Sequence, residues 1–121
     1  PLTSETKGMV NVDFIEKMKF GASLINTSRG EILSNINDFI DPLKSGKVSG
    51  LALDVLSDEP PSDSELIKSW RLREKWLCRK LIINPQTSYY TEDSYSEMRR
   101  KASENAKRII QDKVPMNIIT L

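Results

Sequence analysis

The chain has no histidine and a single cysteine among its 121 residues. Without histidine there is no imidazole general acid or base, no Ser-His-Asp or Cys-His nucleophile and no His metal ligand. Cys78 alone can form neither an intrachain disulfide nor a cysteine-rich zinc site, a usage that fits a reducing compartment and a cytoplasmic location. Neither sign of charge is in surplus: 18 Lys and Arg stand against 17 Asp and Glu, so bulk charge points to no nucleic-acid and no membrane partner. No apolar run approaches the roughly 18 residues of a membrane span, and there is no signal-peptide pattern. No internal repeat or low-complexity segment is present. The sequence opens on Pro1 rather than Met, which raises the expectation that a segment precedes it. Any chemistry within this chain must use Arg, Lys, carboxylates, Tyr or Cys78.

The most informative stretch that is present runs from Gly21 to Gly30. Leu24 and Ile25 form the centre of a short buried strand, and Asn26, Thr27 and Ser28 bond their own backbone and stop it. Gly30 permits a sharp exit. Arg29 is left at the strand's carboxyl end, where open α/β sheets bind ligands, and its guanidinium fork suits a carboxylate or phosphate. The competing reading of Arg29 is a surface side chain in an ordinary turn.

The remaining elements follow from periodicity. Asn11 caps a helix through Lys19 with Phe14, Ile15 and Met18 inward. Ser34 caps a second helix to about Lys44 with Ile36, Phe39, Ile40 and Leu43 inward; Pro42 in its last turns bends or ends it, and Ser45-Gly46-Lys47 closes it. Ser49 to Leu56 is a second strand, nearly all apolar as parallel strands buried on both faces are, interrupted by Asp54. A loop from Ser57 to Ser64 carries Glu59-Pro60, and Pro60 biases Glu59 towards an extended conformation. Asp63 to Arg79 reads as a ragged helix with Leu66, Ile67, Trp70 and Leu77 as a partial stripe. Its basic residues interleaved with Trp70 and Trp76 suit single-stranded nucleic acid or, as the balanced total charge favours, a solvated face with core-facing Trp. Leu81-Ile82-Ile83 is a third strand ending in the turn Asn84–Ser88. Thr91 caps a long helix over Glu92–Gln111, with Tyr95, Met98, Ala102, Ala106 and Ile109 at helical spacing, and Val114–Leu121 is a tail that lies against something. This alternation is that of an α/β fold with a parallel sheet. Arg29, Asp54 with Glu59, and Gln86 each follow a strand's carboxyl end. That coincidence predicts one crevice lined by Arg, carboxylate and amide, and favours the functional reading of Arg29.

Several blocks together resemble the D-isomer-specific 2-hydroxyacid dehydrogenases: Pro1-Leu2-Thr3 with Thr6-Lys7-Gly8; Met18-Lys19 and Gly21-Ala22 through Leu24-Ile25-Asn26 to Ser28-Arg29-Gly30; Ser45-Gly46-Lys47; and Leu53-Asp54-Val55 with Glu59-Pro60. The resemblance implies the C-terminal half of a Rossmann-like nucleotide-binding domain over residues 1–90. Residues 91–121 would then be the helix and tail that return to a substrate domain. It implies NAD or NADP as cofactor, a small 2-keto or 2-hydroxy acid such as glyoxylate or hydroxypyruvate as substrate, and a homodimer for the full-length parent. By position, Arg29 is similar to the Arg that clamps the substrate carboxylate beside the nicotinamide. Asp54 is similar to the acceptor for the nicotinamide carboxamide, and Glu59 to the carboxylate that raises the pKa of a catalytic His. Thr27 and Ser28 would lie on the nicotinamide side, and Leu2 and Thr3 at the cofactor ribose.

Two departures bear on activity. Where the family pattern has Pro-His, this chain has Pro85-Gln86, and Gln has no titratable proton. The five glycines include no G-x-G-x-x-G, so the turn that cradles a pyrophosphate is not in this stretch. Ser23, Ser34 and Pro42 are lesser departures. The expected function is therefore part of an NAD(P)-dependent 2-hydroxyacid dehydrogenase-like oxidoreductase, inactive or impaired as this chain. The alternatives are a non-catalytic cofactor-binding or regulatory protein, or a truncated gene product whose sheet leaves apolar surface uncovered.

Overall fold

The computed structural model describes residues 1–61 and 64–118 and divides into two compact units, Pro1–Gln86 and Thr87–Leu121. The first unit is built on three parallel strands, β1 (Ala22–Asn26), β2 (Val48–Leu53) and β3 (Leu81–Ile83), in that spatial order. Leu24, Ile25 and Asn26 pair with Leu51, Ala52 and Leu53, which pair in turn with Leu81, Ile82 and Ile83. Around them lie α1 (Val12–Lys17), α2 (Ile40–Ser45) and α3 (Glu65–Arg71). The α/β class with parallel strands is the one the alternation of elements predicts.

Sheet topology decides what is buried. The chain steps from β1 to β2 to β3 in one direction, and right-handed crossovers then place both connections on the same face. Leu51, Leu53 and Leu81 pack on that face with Phe39, Leu43 and Leu66, and Leu24 packs against the same cluster. Burying one such side chain contributes about 1.5–3 kcal/mol. The opposite face carries the row Ile25, Ala52, Ile82, with Ile25 72% and Ile82 59% exposed. The expectation of strands buried on both faces is thus corrected. Ile25 is not a core residue, because among the described residues of this unit no connection steps the other way to cover it.

Local differences have local causes. Asn11 caps α1 by accepting the Phe14 N–H at 3.0 Å, but the helix ends at Lys17, and of its expected apolar face Ile15 is buried while Phe14 is exposed. The helix expected from Ser34 is two pieces. Asn35, not Ser34, caps a 3₁₀ turn at Ile36–Phe39, and α2 follows; the Ser34 hydroxyl donates instead to the Val10 carbonyl and the Asp38 carboxylate. Pro42 is therefore in the first turn of α2, where its missing N–H has no intrahelical partner to lose. Gly46, left-handed at φ 81°, ends α2 as expected. Ser64 caps α3, which stops at Arg71. A separate 3₁₀ turn at Lys75–Leu77 lets Leu77 reach the core, while Trp70 stays partly exposed. The expected start of that helix at Asp63 lies outside the described residues. Trp76 packs against the core, takes the Lys44 ammonium over its ring at 5.0 Å and donates its indole N–H to Glu74.

In the second unit, Thr91 caps α4 (Glu92–Ile110) by accepting the Ser94 N–H at 3.1 Å. Tyr95 stacks edge-on with Tyr90 at 5.2 Å and under Arg99 at 5.6 Å. Asn105 pairs with the backbone of Met116 in both directions, which ties the tail back onto this helix. The last three residues of the expected tail, 119–121, lie outside the described residues. Among the described residues no helix is long and apolar enough to cross a membrane.

Candidate functional site at the carboxyl edge of the sheet

The three strands end together. The ladder runs one residue beyond them, with the Asp54 N–H donating to the Asn26 carbonyl and the Asn84 N–H to the Leu53 carbonyl, each at 2.9 Å. Thr27, Asp54 and Asn84 thus begin the three carboxyl-end turns side by side, on strands about 4.8 Å apart. Arg29 lies three residues beyond β1 and Gln86 three beyond β3, with Asp54 directly after β2, the strand between them.

Asn26 shapes the first turn. It is only 5% exposed, and its side chain bonds in both directions. Oδ1 accepts the Ser28 N–H at 3.0 Å and the Ser28 hydroxyl at 2.9 Å, while Nδ2 donates to the Arg29 carbonyl at 2.8 Å. Sequence reasoning assigned Asn26, Thr27 and Ser28 equally to stopping the strand; the structure gives the central part to Asn26. Replacing Asn26 with Ala is expected to cost about 1–3 kcal/mol, since buried polar groups lose their partner. Asn26→Asp should recover only the Ser28 half, because a carboxylate cannot donate to the Arg29 carbonyl. Denaturant unfolding of both variants checks this ordering, and equal losses would contradict it.

The Arg29 backbone is extended, and its side chain is exposed. Nη1 donates to the Ser28 carbonyl at 2.7 Å, and among the described residues the guanidinium makes no ion pair. Asp54 is 4% exposed directly after β2. Glu59 is exposed, and its Oε1 accepts the Leu56 N–H at 3.0 Å, closing its own turn; the Glu59–Pro60 peptide is cis. Gln86 is exposed and left-handed at φ 49°. Thr3 is tied to Thr6 within its own turn, the Thr3 N–H reaching Thr6 Oγ1 at 2.8 Å, and that segment joins the Arg29 side through Gly8 N–H to the Glu31 carbonyl at 2.8 Å. Lys7 meets Glu31 at 2.9 Å, and this hydrogen-bonded carboxylate raises the affinity of the Lys7 ammonium for its proton.

Sequence reasoning missed the contact that joins the first two turns. Gly30 lies so close to the Leu56–Ser57 backbone that a Cβ would fall 2.0 Å from the Leu56 carbonyl carbon. Gly30 is needed for room, not for a positive φ as the expected sharp exit implied. No local pattern carries that signal, since the partner is 26 residues away. Behind the contact is a cavity of about 50 Å³ lined by Gly30, Leu53, Leu56, Asp58 and Ile67. It has room for water rather than a dinucleotide.

The donor set at the edge fits the nicotinamide end of a dinucleotide. Asp54 offers a carboxylate acceptor, Arg29 a cation, and Asn84 and Gln86 amides. The pyrophosphate end has no glycine turn in this sequence. A parallel α/β sheet with polar groups gathered at its carboxyl edge is the arrangement of a nucleotide-binding domain. Residues 1–85 match the family described as D-isomer specific 2-hydroxyacid dehydrogenase, NAD binding domain, and the chain belongs to that family, whose cofactor is NAD or NADP. It is 33% identical over 120 residues to hydroxypyruvate reductase of Blautia hydrogenotrophica, covering 98% of this chain and 34% of that protein. It is 29% identical over 119 residues to glycerate dehydrogenase of Methylorubrum extorquens, covering 98% and 35%. The crystal structure of a D-isomer specific 2-hydroxyacid dehydrogenase from Xanthobacter autotrophicus Py2 in complex with NADPH and MES superposes with a TM-score of 0.72 at 27% identity, over 99% of this chain and 45% of that one. The chain spans about a third of the length of the curated relatives it matches.

Proposed function

We propose that this chain forms the nicotinamide-facing part of an NAD(P)-dependent 2-hydroxyacid dehydrogenase-like oxidoreductase acting on a small 2-keto or 2-hydroxy acid such as glyoxylate or hydroxypyruvate. In this reading residues 1–90 are part of a dinucleotide-binding domain, and 91–121 are a helix and tail returning to a substrate domain. The nicotinamide, when bound, supplies or accepts a hydride. Asp54 holds its carboxamide, Thr27 and Ser28 line its side of the crevice, and Thr3 approaches the ribose. Arg29 clamps the substrate carboxylate and turns the carbonyl towards the ring. Glu59 stabilises the turn opposite. Gln86 holds the substrate oxygen by hydrogen bonding and supplies no proton, which makes 2-keto acid reduction slow.

The observation that carries this reading is the parallel register that sets Arg29, with no ion pair among the described residues, and buried Asp54 at the same sheet edge. A Lys in place of Arg29 keeps the charge and loses the fork. In the whole protein, Arg29→Lys is expected to weaken binding of oxalate, a non-reacting 2-keto acid mimic, by about 10–100-fold, since charge-assisted hydrogen bonds contribute about 1.5–3 kcal/mol. NADH affinity should change far less. Titration of both ligands decides it, and unchanged oxalate affinity would remove Arg29 from the site. Gln86 also favours a second reading, a non-catalytic cofactor-binding or regulatory protein. That reading predicts saturable NADH or NADPH binding with no turnover of any 2-keto acid.

A further inference from the structure

The basic segment with interleaved tryptophans has no part in the function proposed above. Its fold gathers several of those side chains around one concave site. A cavity of about 260 Å³ is lined by Trp70, Arg73, Leu77, Cys78, Arg79 and Leu81. It lies at the amino end of β3, the end opposite Gln86. Leu77 and Leu81 are buried in the core and give the cavity an apolar floor. Trp70, 38% exposed, adds an aromatic wall.

Two tight turns hold the arginines. The Arg73 N–H donates to the Trp70 carbonyl at 3.0 Å just past α3, and the Lys80 N–H donates to the Leu77 carbonyl at 3.0 Å, closing the turn around Arg79. The Lys80 carbonyl accepts the Leu51 N–H at 2.8 Å, which ties that second turn to the sheet. Both arginines are left-handed, at φ 54° and 62°, a region uncommon for residues other than glycine and in which Asn is enriched. Among the described residues neither guanidinium has a hydrogen bond or an ion pair. The charged groups around them are committed. Lys80 Nζ donates to the Leu43 carbonyl at 2.6 Å, and Glu74, the carboxylate on the cavity wall, accepts the Trp76 indole N–H. Two arginines and one carboxylate leave the wall with one net positive charge.

We propose that this cavity binds a small aromatic carboxylate, with its ring against Trp70 above Leu77 and Leu81 and its acid group on Arg73 and Arg79. A guanidinium fork matches a carboxylate in geometry, and an offset or edge-on ring pair adds to the burial of the apolar body. The single net charge suits a monoanion. The volume lies below the roughly 300–1,000 Å³ of pockets for drug-sized ligands, which favours one ring with a short acidic arm over a nucleotide. The site is separate from Arg29 and does not depend on the dehydrogenase reading.

Cys78, exposed on the cavity wall, is a built-in reporter. The test uses the whole protein and phenylacetate, with alkylation of Cys78 by neutral iodoacetamide followed by mass spectrometry of its peptide. At ten times its Kd, measured by calorimetric titration, phenylacetate is expected to slow the alkylation about tenfold, since only unliganded protein reacts. Acetate, which lacks the ring, and phenylacetamide, which lacks the charge, should each bind about tenfold or more weakly. Arg73→Asn and Arg79→Asn remove the cations while suiting a left-handed backbone, and each should weaken phenylacetate binding by about tenfold or more. Their NADH and oxalate affinities should be unchanged, which shows that the variants fold and keeps failure here distinct from failure of the proposed function. Arg29→Lys should leave the protection of Cys78 intact. Alkylation indifferent to phenylacetate, or protection matched by acetate or phenylacetamide, would overturn the assignment. Stronger protection by AMP or by oligothymidylate would also overturn it, in favour of a nucleotide or single-stranded nucleic-acid site.

Discussion

Gly30→Ala is expected to be among the most damaging single substitutions in the first unit, at about 3 kcal/mol or more, the upper range for overpacking. The added Cβ would lie 2.0 Å from the Leu56 carbonyl carbon, 2.2 Å from its oxygen and 2.3 Å from the Ser57 nitrogen. All three are backbone atoms, so no side-chain rotation relieves the clash. One of the two turns must move by more than an ångström. These are the turns that carry Arg29 and Glu59, and under the proposed function a displacement of that size is expected to cost about 10²-fold in rate. Gly21→Ala is the control. Gly21 has φ 76°, and a methyl group there would meet nothing within 4 Å, so it should lose only the strain of a left-handed alanine, about 1–2 kcal/mol. Denaturant unfolding of both variants compares room with conformation directly. A Gly30→Ala protein as stable as Gly21→Ala would show that the Leu56 turn yields freely.

Gln86→His is expected to increase reduction of glyoxylate, pyruvate or hydroxypyruvate by the whole protein by about 10²–10⁴, equivalent to roughly 3–5 kcal/mol of barrier. The backbone favours the change, because φ 49° lies in the left-handed region where His is enriched among non-glycine residues. The imidazolium would supply the proton that the amide cannot. Its protonated form is the active one in the reductive direction, so the gained rate should be full at low pH and fall as pH rises through the His pKa, about 6.5 when unperturbed. Should the Glu59 carboxylate leave the Leu56 N–H for the new imidazolium, that fall moves to higher pH. Gln86→Asn should gain nothing. Ordinary dehydrogenase rates in the parent, unchanged by Gln86→His, would remove Gln86 from the reaction.

The parts legible in the sequence are those that depend on neighbours close along the chain. Leu81-Ile82-Ile83, bounded by Lys80 and Asn84, is β3 to the residue. The caps at Asn11 and Thr91 follow from side chains bonding backbone three residues on, at Phe14 and Ser94. Placement of Arg29 and Gln86 after strand ends follows from locating the strands; the second strand reads in sequence as running through Asp54 to Leu56, whereas it ends at Leu53 and leaves Asp54 just past it. The Ser34 cap failed because Asn35 is an equally good cap one residue later, and Ser34 has a partner 24 residues away at Val10. Exposure of Ile25 was not legible either, since an apolar strand residue looks the same whether or not its face is covered.

The sequence by itself determined the chemical inventory: no imidazole, one thiol, an arginine and two carboxylates following strands, and an amide after the third strand. Composition and local pattern are properties of the chain before it folds. Only the tertiary structure decided that Leu51, Leu53 and Leu81 are buried on one sheet face while Ile25 and Ile82 are exposed on the other, because that depends on the direction in which successive crossovers step. Only it decided that Gly30 must be glycine, because the atoms that exclude a methyl group come from Leu56 and Ser57, brought there by the pairing of β1 with β2.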